Sequence, residues 1–482
     1  MSILAIDAGT TGVTVLVVSR DGEIIARGYS EFPQHFPKPG WVEHNPEEIW
    51  QATLRASRQA LNNSGSIETI GITNQRETLV LWDRETLKAP RPAIVWQDRR
   101  TSDIVADFKP YEELIRTKTG TNLDPYFTST KLVWVRQNEP EIWKSVVDGK
   151  TAIGTVDSYL VARLTNGTHH ITDASNASRT QLCNIQTATW DEELLELFEV
   201  PRTALPEIVP NFGALAQTNP DVFLGIDAPI TGMAGDQQAA LFGQLAFSPG
   251  DTKCTYGTGA FLLTNTGDKA IESKHGLITT IAWKSPTGEI TYALEGSVFV
   301  AGSAVQWLRD GLGIIKESKD VEALAASVPT TDGVVFVPAL TGLGAPWWKP
   351  DVRGTISGIS RGTTSAHIAR ATLEAVANQV TDLVEAMEKD TGLATTNLKV
   401  DGGMSANNLL MQMQSDFLQT KVIRGQVIET TALGAAYLAA IGCGTFKNFE
   451  DLQKRWKPQQ VFEPQQREPS RVSWNNAIKD II

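Results

Sequence analysis

Three short glycine turns carry the residues best suited to chemistry, and the first of them lies near the start of the chain. Asp7 ends an apolar run and leads into Ala8-Gly9-Thr10-Thr11-Gly12. The backbone N–H groups of such a turn can converge on a phosphate, the hydroxyls add donors, and the acid can hold Mg²⁺ through water. Glycine and threonine are also typical of a plain hairpin turn, which these residues alone favour.

The two other glycine turns lie in the second half of the chain. They are Tyr256-Gly257-Thr258-Gly259 and Asp401-Gly402-Gly403, the latter running into Ser405-Ala406-Asn407. Amide groups at the start of a helix can face a phosphate or a base. Each turn alone is equally compatible with an ordinary connection. Three such turns, each after a predicted strand and spread over both halves, indicate a nucleotide held between two domains.

An aspartate in the middle of the chain is a candidate general base. Gly235-Asp236-Gln237-Gln238 follows a β-prone run over residues 230–235. An acid at such a corner is well placed to accept a proton from a hydroxyl group. Asp is also among the best helix N-cap residues, and without further observations the N-cap interpretation is favoured.

Adjacent charges in the segment 71–78 offer a second set of polar contacts. Arg76 and Glu77 directly follow a predicted strand and could donate to and accept from a substrate hydroxyl. Neither side chain is easily buried unless it is paired, so a surface loop with an ion pair is the alternative. The six histidines are scattered apart from His169-His170, and they indicate neither a Ser/His/Asp triad nor a metal site.

Hydrophobic patterns predict the elements that position these turns, and together they indicate a mixed α/β architecture. A loose internal repeat places the domain boundary near residues 245–252. The predicted strands are 3–7, 13–18, 23–27, 67–72, 253–256, 260–264, 398–401 and 421–424. The predicted helices are 45–62, 365–392, 407–417 and a small-residue helix over 430–441.

Composition excludes several classes of protein. The 482 residues, 41% of them hydrophobic and 20% charged, suit two large globular domains. A net charge of −12 argues against a nucleic-acid partner or an anionic membrane surface. Three widely spaced cysteines predict neither disulfides nor a zinc module. With no signal-peptide pattern and no apolar run long enough for a bilayer, we expect a cytoplasmic protein without membrane insertion.

Seven segments together resemble the FGGY carbohydrate kinases. The resemblance runs from residue 3 to about residue 462, and it implies an α/β fold of two ribonuclease-H-like (actin-like ATPase) domains with an interdomain cleft. Residues 1–247 would form the N-terminal FGGY domain, with the polyol site and the phosphate hairpin, and residues 248–482 the nucleotide-binding C-terminal domain. The segments are 37–44, 71–78 (GITNQRET), 94–100 (IVWQDRR), 124–127 (DPYF), 235–245 (GDQQAALFGQL), 255–259 (TYGTG) and 432–438 (ALGAAYL).

The resemblance also implies an activity and a role for each site residue. GITNQRET, DPYF and GDQQAALFGQ imply in-line transfer of phosphate from Mg-ATP to glycerol, giving sn-glycerol 3-phosphate, with Asp236 as the base and Asp7 as the Mg²⁺ partner; a homo-oligomer is compatible with this. The implied polyol-binding residues are Arg76, Glu77, Trp96, Tyr126, Asp236, Gln237 and Phe261. The implied nucleotide-binding residues are Thr10, Thr11, Gly12, Thr258, Gly302, Gln306, Gly403 and Asn407.

Two alternatives stay open, and one departure from the family pattern motivates the second of them. After Thr10-Thr11 the family usually has two serines and an arginine, whereas this chain has Gly12-Val13-Thr14. The loss of a guanidinium that grips phosphate is expected to weaken nucleotide binding. The alternatives are a kinase for another small polyol or ketose, and a catalytically weakened relative that senses a polyol.

Overall fold

Two large β-sheets, one in each half of the chain, organise the fold. The computed structural model describes residues 2–62, 65–349, 351–454, 456–465 and 471–482. Within these ranges a six-stranded sheet comes from the first half and a seven-stranded sheet from the second, and we call them the N-terminal and C-terminal sheets. Helices pack against both, as the alternation of strand and helix patterns predicts.

The first half supplies the following elements. Its strands are β1 (Ser2–Ala8), β2 (Gly12–Ser19), β3 (Ile24–Glu31), β4 (Glu43–His44), β5 (Ile67–Asn74), β6 (Val80–Asp83), β7 (Ala93–Ile94), β8 (Thr151–Gly154), β9 (Ile171–Asp173), β10 (Cys183–Asn184), β11 (Thr189–Trp190), β12 (Glu207–Val209), β13 (Phe212–Gln217) and β14 (Pro229–Gly235). Its helices are α1 (Pro46–Leu61), α2 (Ser102–Asp107), α3 (Glu112–Thr119), α4 (Thr128–Asn138), α5 (Pro140–Val147), α6 (Val156–Leu164), α7 (Ala174–Ala177), α8 (Glu192–Phe198) and α9 (Asp236–Gly243), with 3₁₀ turns at Lys109–Tyr111 and Arg202–Ala204.

The second half continues the numbering. Its strands are β15 (Thr252–Tyr256), β16 (Ala260–Gly267), β17 (Ile278–Lys284), β18 (Ile290–Val298), β19 (Val335–Val337), β20 (Thr355–Ser357), β21 (Asn397–Asp401), β22 (Lys421–Gly425) and β23 (Pro458–Phe462). Its helices are α10 (Gly302–Asp310), α11 (Asp320–Ala326), α12 (Ser365–Thr391), α13 (Asn408–Leu418), α14 (Thr430–Gly442), α15 (Phe449–Gln453) and α16 (Val472–Lys479), with a 3₁₀ turn at Gly403–Ala406.

The N-terminal sheet collects three of the predicted site segments at one edge. Its order is β13-β14-β5-β1-β2-β3, and the three strands predicted over 3–7, 13–18 and 23–27 are confirmed and form an antiparallel meander, β1-β2-β3. Strands β1, β5 and β14 run parallel, with Asp7 opposite Thr73 and Gly235 opposite Asn74. Because parallel strands end at the same edge, the Asp7 turn, the segment after Asn74 and Asp236 are adjacent.

The C-terminal sheet repeats this arrangement. Its order is β17-β18-β16-β15-β21-β22-β23, with β15, β21 and β22 parallel. The glycine turns after Tyr256 and Asp401 therefore lie at one edge. The register also pairs Lys253 with Leu263 and Leu263 with Glu295. Directly opposed residues share a face of a sheet, so Lys253 and Glu295 lie on one face.

Two of the predicted helices have the predicted ends. The Asn45 side chain caps α1 by accepting from the N–H of Glu47 at 3.0 Å, with proline in the first turn. Helix α12 ends at Gly392, whose φ of 69° is the left-handed conformation that glycine tolerates at a helix C-terminus.

The small-residue helix α14 crosses from the second half to cover the N-terminal sheet. Its alanines share a core with Ile3, Ala5 and Leu16. A Cβ atom on Gly434 would lie 1.8 Å from the carbonyl oxygen of Ala239 in α9, so only glycine permits this helix contact. The two halves are therefore packed together by backbone contact.

No helix in the described ranges is both long enough and apolar enough to span a membrane.

Candidate active site

A closed network of buried charges lies where the two halves meet. Arg76 donates to both carboxylate oxygens of Glu295, at 2.5 and 3.0 Å. Arg179 donates to Glu295 at 3.0 Å and to Glu77 at 2.6 Å. We call Arg76, Glu77, Arg179 and Glu295 the charge ring; all four are almost completely buried. Two guanidinium groups and two carboxylates make the ring electrically neutral.

The two carboxylates of the ring differ in how burial and the arginines balance, and only the pKa of Glu295 is lowered overall. Burial alone would raise the pKa of Glu295, but Arg179 and Arg76 outweigh it and lower that pKa to about 2. Burial raises the pKa of Glu77, and the same two arginines oppose the rise. The pKa of Arg76 lies well above its usual value because Glu295 and Glu77 overcome its desolvation. Glu295 is consequently ionised at neutral pH.

The backbone of Glu77 is held in an uncommon conformation. Its φ is 59°, in the left-handed region that a residue with a Cβ atom rarely adopts. The carbonyl oxygen of Glu77 accepts from Thr128 Oγ1 at 3.1 Å and from Lys131 Nζ at 3.0 Å. Burial lowers the pKa of Lys131 to about 7. These two donors fix the turn that aims Glu77 at Arg179, a strained geometry of the kind found at binding sites.

Aromatic rings stand beside the charge ring. The rings of Trp96 and Tyr126 meet edge to face at 5.6 Å, and the Arg179 guanidinium lies 5.8 Å from the centre of the Tyr126 ring. Trp96 Nε1 donates to Thr10 Oγ1 at 3.0 Å, which joins this wall to the Asp7 turn. Phe261 is opposite Ser297 on β18, two residues along from Glu295 and so on the same face of the sheet.

Asp236 lies between the charge ring and the Asp7 turn. Its Oδ1 atom is 3.0 Å from Arg76 Nε and accepts from the N–H of Gln237 at 2.7 Å. The side chain is 28% exposed, in contrast to the ring beside it. Asp236 is the first residue of α9 and Gly235 is the N-cap, so the N-cap interpretation is wrong.

The surroundings of Asp7 fit a hydrated Mg²⁺ ion. Burial raises the pKa of Asp7 to about 7, and the charge of Asp236 adds to the rise. Thr73 and Thr14 flank Asp7 in the sheet register, and the buried Thr73 hydroxyl has no protein partner in the described part of the chain. No three His, Cys, Asp or Glu side chains among the described residues cluster as a metal cage. One carboxylate with hydroxyls for bound water is the donor set that Mg²⁺ accompanying phosphates uses.

Neutral side chains hold the Asp7 turn from behind. Gln75 Nε2 donates to the carbonyl oxygen of Gly9 at 3.0 Å, and Gln34 Nε2 donates to that of Thr10 at 2.7 Å. His44 lies between the two glutamines, 2.7 Å from Gln34 Oε1 and 3.2 Å from Gln75 Nε2. Burial lowers the pKa of His44 to about 4, so the ring is neutral at pH 7. The carbonyl groups of Gly9 and Thr10 are thus fixed by hydrogen bonds from Gln75 and Gln34.

Packing explains why glycine follows Thr11. A Cβ atom on Gly12 would lie 2.9 Å from both the ring of Tyr29 and the carbonyl oxygen of Ser30. A serine at this position therefore requires both the Tyr29 ring and the backbone at Ser30 to move. Thr11 is exposed, whereas the Thr10 hydroxyl is already engaged by Trp96.

All five nucleotide-binding residues predicted in the second half line one cavity of about 400 Å³. The Thr258 carbonyl accepts from the N–H groups of Ala301 and Ser303, both at 3.0 Å, which joins the Tyr256 turn to the start of α10. Asn407 caps α13 by accepting from the N–H of Leu410 at 2.8 Å. The described residues of the Asp7 turn do not line this cavity. The five residues are Thr258, Gly302, Gln306, Gly403 and Asn407.

A buried lysine connects the two parts of the site. Lys253 Nζ donates to Gln237 Oε1 at 2.5 Å and to Thr255 Oγ1 at 3.0 Å. Burial lowers its pKa, against the attraction of Asp401.

Sequence reasoning missed Lys253, Glu295, Arg179 and Lys131. A single charged residue within each of the predominantly uncharged strands β15 and β18 was a usable signal for the first two.

Comparison with known proteins gives one consistent result. The family models for the FGGY family of carbohydrate kinases match residues 2–243 (N-terminal domain) and 252–443 (C-terminal domain). A glycerol kinase of Bdellovibrio bacteriovorus is 52% identical over 489 residues, covering 99% of both chains. A glycerol kinase of Burkholderia multivorans is 50% identical over 487 residues, covering 99% of this chain and 97% of that one.

Solved structures give the same fold. The crystal structure of Plasmodium falciparum glycerol kinase with ADP superposes with a TM-score of 0.93 at 37% identity, covering 100% of this chain and 98% of that chain. A ligand-bound xylulose kinase from Lactobacillus acidophilus superposes with a TM-score of 0.87 at 22% identity, over 99% and 96% of the two chains. The second likeness concerns the fold alone, which is the predicted two-domain α/β fold.

Proposed function

The chain belongs to the FGGY family of carbohydrate kinases, and on that premise we propose that it is an ATP-dependent glycerol kinase. The observation that carries the proposal is the position of Asp236, in contact with Arg76 on one side and near Asp7 on the other. A hydroxyl acceptor and a phosphate donor can meet at such a carboxylate. The glycerol kinases with about 50% identity over nearly the whole chain support the choice of acceptor.

The polyol lies against the charge ring. Arg76 donates to its hydroxyls and Glu77 accepts from them, and both side chains are held in place before the ligand arrives. Gln237 and Tyr126 supply the other polar contacts, while Trp96 and Phe261 cover the carbon chain. Charge-assisted hydrogen bonds of fixed geometry suit a small ligand that has hydroxyls but no charge.

Asp236 is the general base. Arg76 Nε holds Oδ1, which leaves Oδ2 to accept the proton of the attacking hydroxyl. As that proton moves to Asp236, the hydroxyl oxygen forms a bond to the γ-phosphorus and the bond from phosphorus to the bridging oxygen breaks, giving glycerol phosphate and ADP. Alignment of the two substrates and stabilisation of charge supply most of the acceleration.

The nucleotide occupies the 400 Å³ cavity, with its phosphates directed towards the Asp7 turn. Thr258, Gly302, Gln306, Gly403 and Asn407 hold it in the cavity, and Thr10, Thr11 and Gly12 approach the phosphates. Asp7 would hold Mg²⁺, with Thr73 and Thr14 as partners for its bound water. Mg²⁺ neutralises charge on the phosphates when it is bound.

The proposal places the domain boundary between residues 247 and 248 and the protein in the cytoplasm. The separate sheets and the gap between the two family matches at 243 and 252 support the boundary. The cytoplasm supplies ATP and Mg²⁺ and keeps thiols such as the free Cys183, Cys254 and Cys443 reduced.

A coupled assay of ADP release with Mg-ATP tests the function. We expect release to depend on glycerol and to be much slower with erythritol or dihydroxyacetone. A preference for one of those compounds would instead identify a kinase of another polyol or ketose. Binding of glycerol by calorimetry without any ADP release would identify the weakened, polyol-sensing relative, an alternative favoured by Thr14 standing where the family usually has arginine.

A further inference from the structure

We propose that Glu295 is a positioning residue for the polyol, so that the polyol site is complete only when the second half of the chain is docked on the first. This inference rests on the proposed function, because it concerns how the glycerol site is built. Every polyol residue implied by the family resemblance except Phe261 lies in the first half. Glu295 lies in β18 of the C-terminal sheet, 219 residues beyond Arg76.

Glu295 accepts three of the hydrogen bonds that hold the charge ring together. Its Oε1 atom accepts from both Arg76 and Arg179 at 3.0 Å, and its Oε2 atom accepts from Arg76 at 2.5 Å. The two contacts with Arg76 form the bidentate pair that fixes the plane of a guanidinium. Glu295 itself is fully buried and already occupied, so it acts on a ligand through the arginines.

The strand gives Glu295 little freedom to move. β18 is an interior strand of the C-terminal sheet, paired on both sides. A Cβ atom on the following Gly296 would lie 2.9 Å from Leu383 of α12, so the backbone here is packed closely against that helix. A carboxylate held on a rigid strand transmits a fixed position to the groups bound to it.

Arg179 retains one unused donor in this setting. Its Nη1 atom is buried and has no hydrogen-bond partner in the described part of the chain. A buried guanidinium N–H without a partner is costly, and a ligand hydroxyl or a bound water would satisfy it. Because Arg179 also lies over the ring of Tyr126, this donor belongs to the same pocket. Glu295 therefore orients two arginines toward one ligand.

The test is a comparison of Glu295→Gln with a matched control. Asp382→Asn removes the charge of a different buried carboxylate, which pairs with Arg471 and accepts from Trp474 at 2.9 Å, between α12 and the C-terminal helix. We expect the Glu295 variant to raise the glycerol KM and the glycerol Kd at least about tenfold, because that is the effect of losing one charge-assisted hydrogen bond. We expect its ATP KM to stay within about twofold, because sites without shared partners are nearly independent. Asp382→Asn should leave the glycerol KM unchanged.

Two further variants separate positioning from stability. Glu295→Asp keeps the charge and should recover part of the glycerol affinity. The double variant Glu295→Met with Arg179→Met keeps the pocket neutral, which favours folding even if the single variants unfold, because apolar replacements of buried ion pairs are tolerated. We expect this folded, charge-balanced protein still to have a raised glycerol KM.

The outcomes are distinct from those of the function assay. A wild-type protein without glycerol-dependent ADP release defeats the proposed function before any variant is compared. An active wild type with a folded Glu295→Gln or double variant of normal glycerol KM overturns the positioning role alone. A raised glycerol KM with unchanged ATP KM supports it, and equal rises in both constants would show a merely structural effect and overturn it.

Discussion

The proposed polyol region and the proposed nucleotide cavity differ in how much charge their residues carry. The charge ring places four buried ionic side chains around the proposed site of an uncharged triol. The cavity proposed for a polyanion is lined mostly by uncharged residues, with Lys319 and Glu322 as the two charged ones. Under the proposed function, the uncharged ligand would therefore meet fixed charges, whereas the polyanion would meet mainly uncharged groups, with the Asp7 turn that would hold Mg²⁺ nearby.

This difference has a physical basis. A triol gains little free energy when it exchanges hydrogen bonds with water for similar bonds with the protein. Binding it in preference to water therefore requires strong, oriented donors and acceptors. Triphosphate already carries charge and its own cation, and convergent N–H groups suffice to hold it. The two regions should consequently respond differently to substitution. Loss of a charge should weaken ligand binding strongly in the first region, whereas added side-chain bulk should weaken it more in the second.

The largest effect is expected at the boundary between the two regions. Asp236→Asn keeps the contact between Oδ1 and Arg76 but cannot accept the hydroxyl proton, so kcat should fall about 10²- to 10⁴-fold. Glycerol binding measured by calorimetry should persist, because the charge ring is intact. Near-normal turnover in this variant would contradict the role of Asp236 as the base.

A pH titration of stability tests the contribution of neutral His44, which lies behind the Asp7 turn. The folded pKa of His44, about 4, lies below the unfolded value of about 6.5, so the unfolded chain binds the proton more readily. The stability contributed by neutral His44 is complete above pH 6.5 and is lost as the pH falls from 6.5 towards 4. Between pH 7 and pH 5 this loss should reach about 2 kcal/mol of unfolding free energy.

His170 offers a matched control for this titration. Its pKa is also lowered to about 4 by burial, but it bonds to the carbonyl of Ile153, away from the Asp7 turn. Both His44→Asn and His170→Asn should flatten the pH dependence of denaturant unfolding relative to wild type. Only the His44 variant should change the pH dependence of the ATP KM. An equal change in both variants would refute the link between His44 and the turn.

The steric sensitivity of the nucleotide cavity is tested by a pair of glycines. A Cβ atom on Gly302 would lie 2.5 Å from the carbonyl oxygen of Gly257, so Gly302→Ala must displace the glycine turn. We expect the ATP KM to rise about tenfold, equivalent to about 1.4 kcal/mol, with the glycerol KM unchanged. A matching rise in the glycerol KM would show that the regions are not separable.

Gly403 provides the comparison within the same cavity. A Cβ atom there meets nothing within 4 Å, so Gly403→Ala should leave the unfolding free energy unchanged. A smaller rise in its ATP KM then reports direct contact with the nucleotide. An unchanged ATP KM would remove Gly403 from the proposed site.

The sequence predicted the grouping of the five residues around the 400 Å³ cavity better than it predicted the charge ring, and the reason is the range of the interactions. Glycine turns after strands and the cap at Asn45 depend on neighbouring residues, so local pattern was sufficient. Arg76 and Glu295 lie 219 residues apart, and no periodicity connects them. The N-cap expectation for Asp236 failed because Gly235 takes that position and leaves the carboxylate free to contact Arg76.

Helix α14 shows the same limit at the level of the fold. Its existence and ends followed from its composition, but its packing on the N-terminal sheet did not. That packing depends on glycines from separate segments, such as Gly71, where a Cβ atom would lie 2.1 Å from the carbonyl oxygen of Ala435. Close approach of this kind depends on two surfaces together, so the sequence of either segment alone does not predict it.

The smallest expected effect comes from adding a positive charge beside the Asp7 turn. Thr14 is partly buried and lies opposite Asp7 in the register of β1 and β2. Thr14→Arg would place a guanidinium beside the phosphates and should lower the ATP KM about threefold at low salt. Since screening weakens a partly exposed charge, the gain should shrink at higher ionic strength.

Thr14→Met separates the charge from the added bulk. If the neutral variant lowers the ATP KM as much as the arginine variant does, packing and not charge is responsible. If neither variant changes it, the phosphates do not approach Thr14, and the lost arginine does not limit nucleotide binding. If only Thr14→Arg lowers the ATP KM, and salt abolishes that gain, the added charge itself is responsible, because the same fold then accepts a guanidinium at position 14 and binds ATP more tightly.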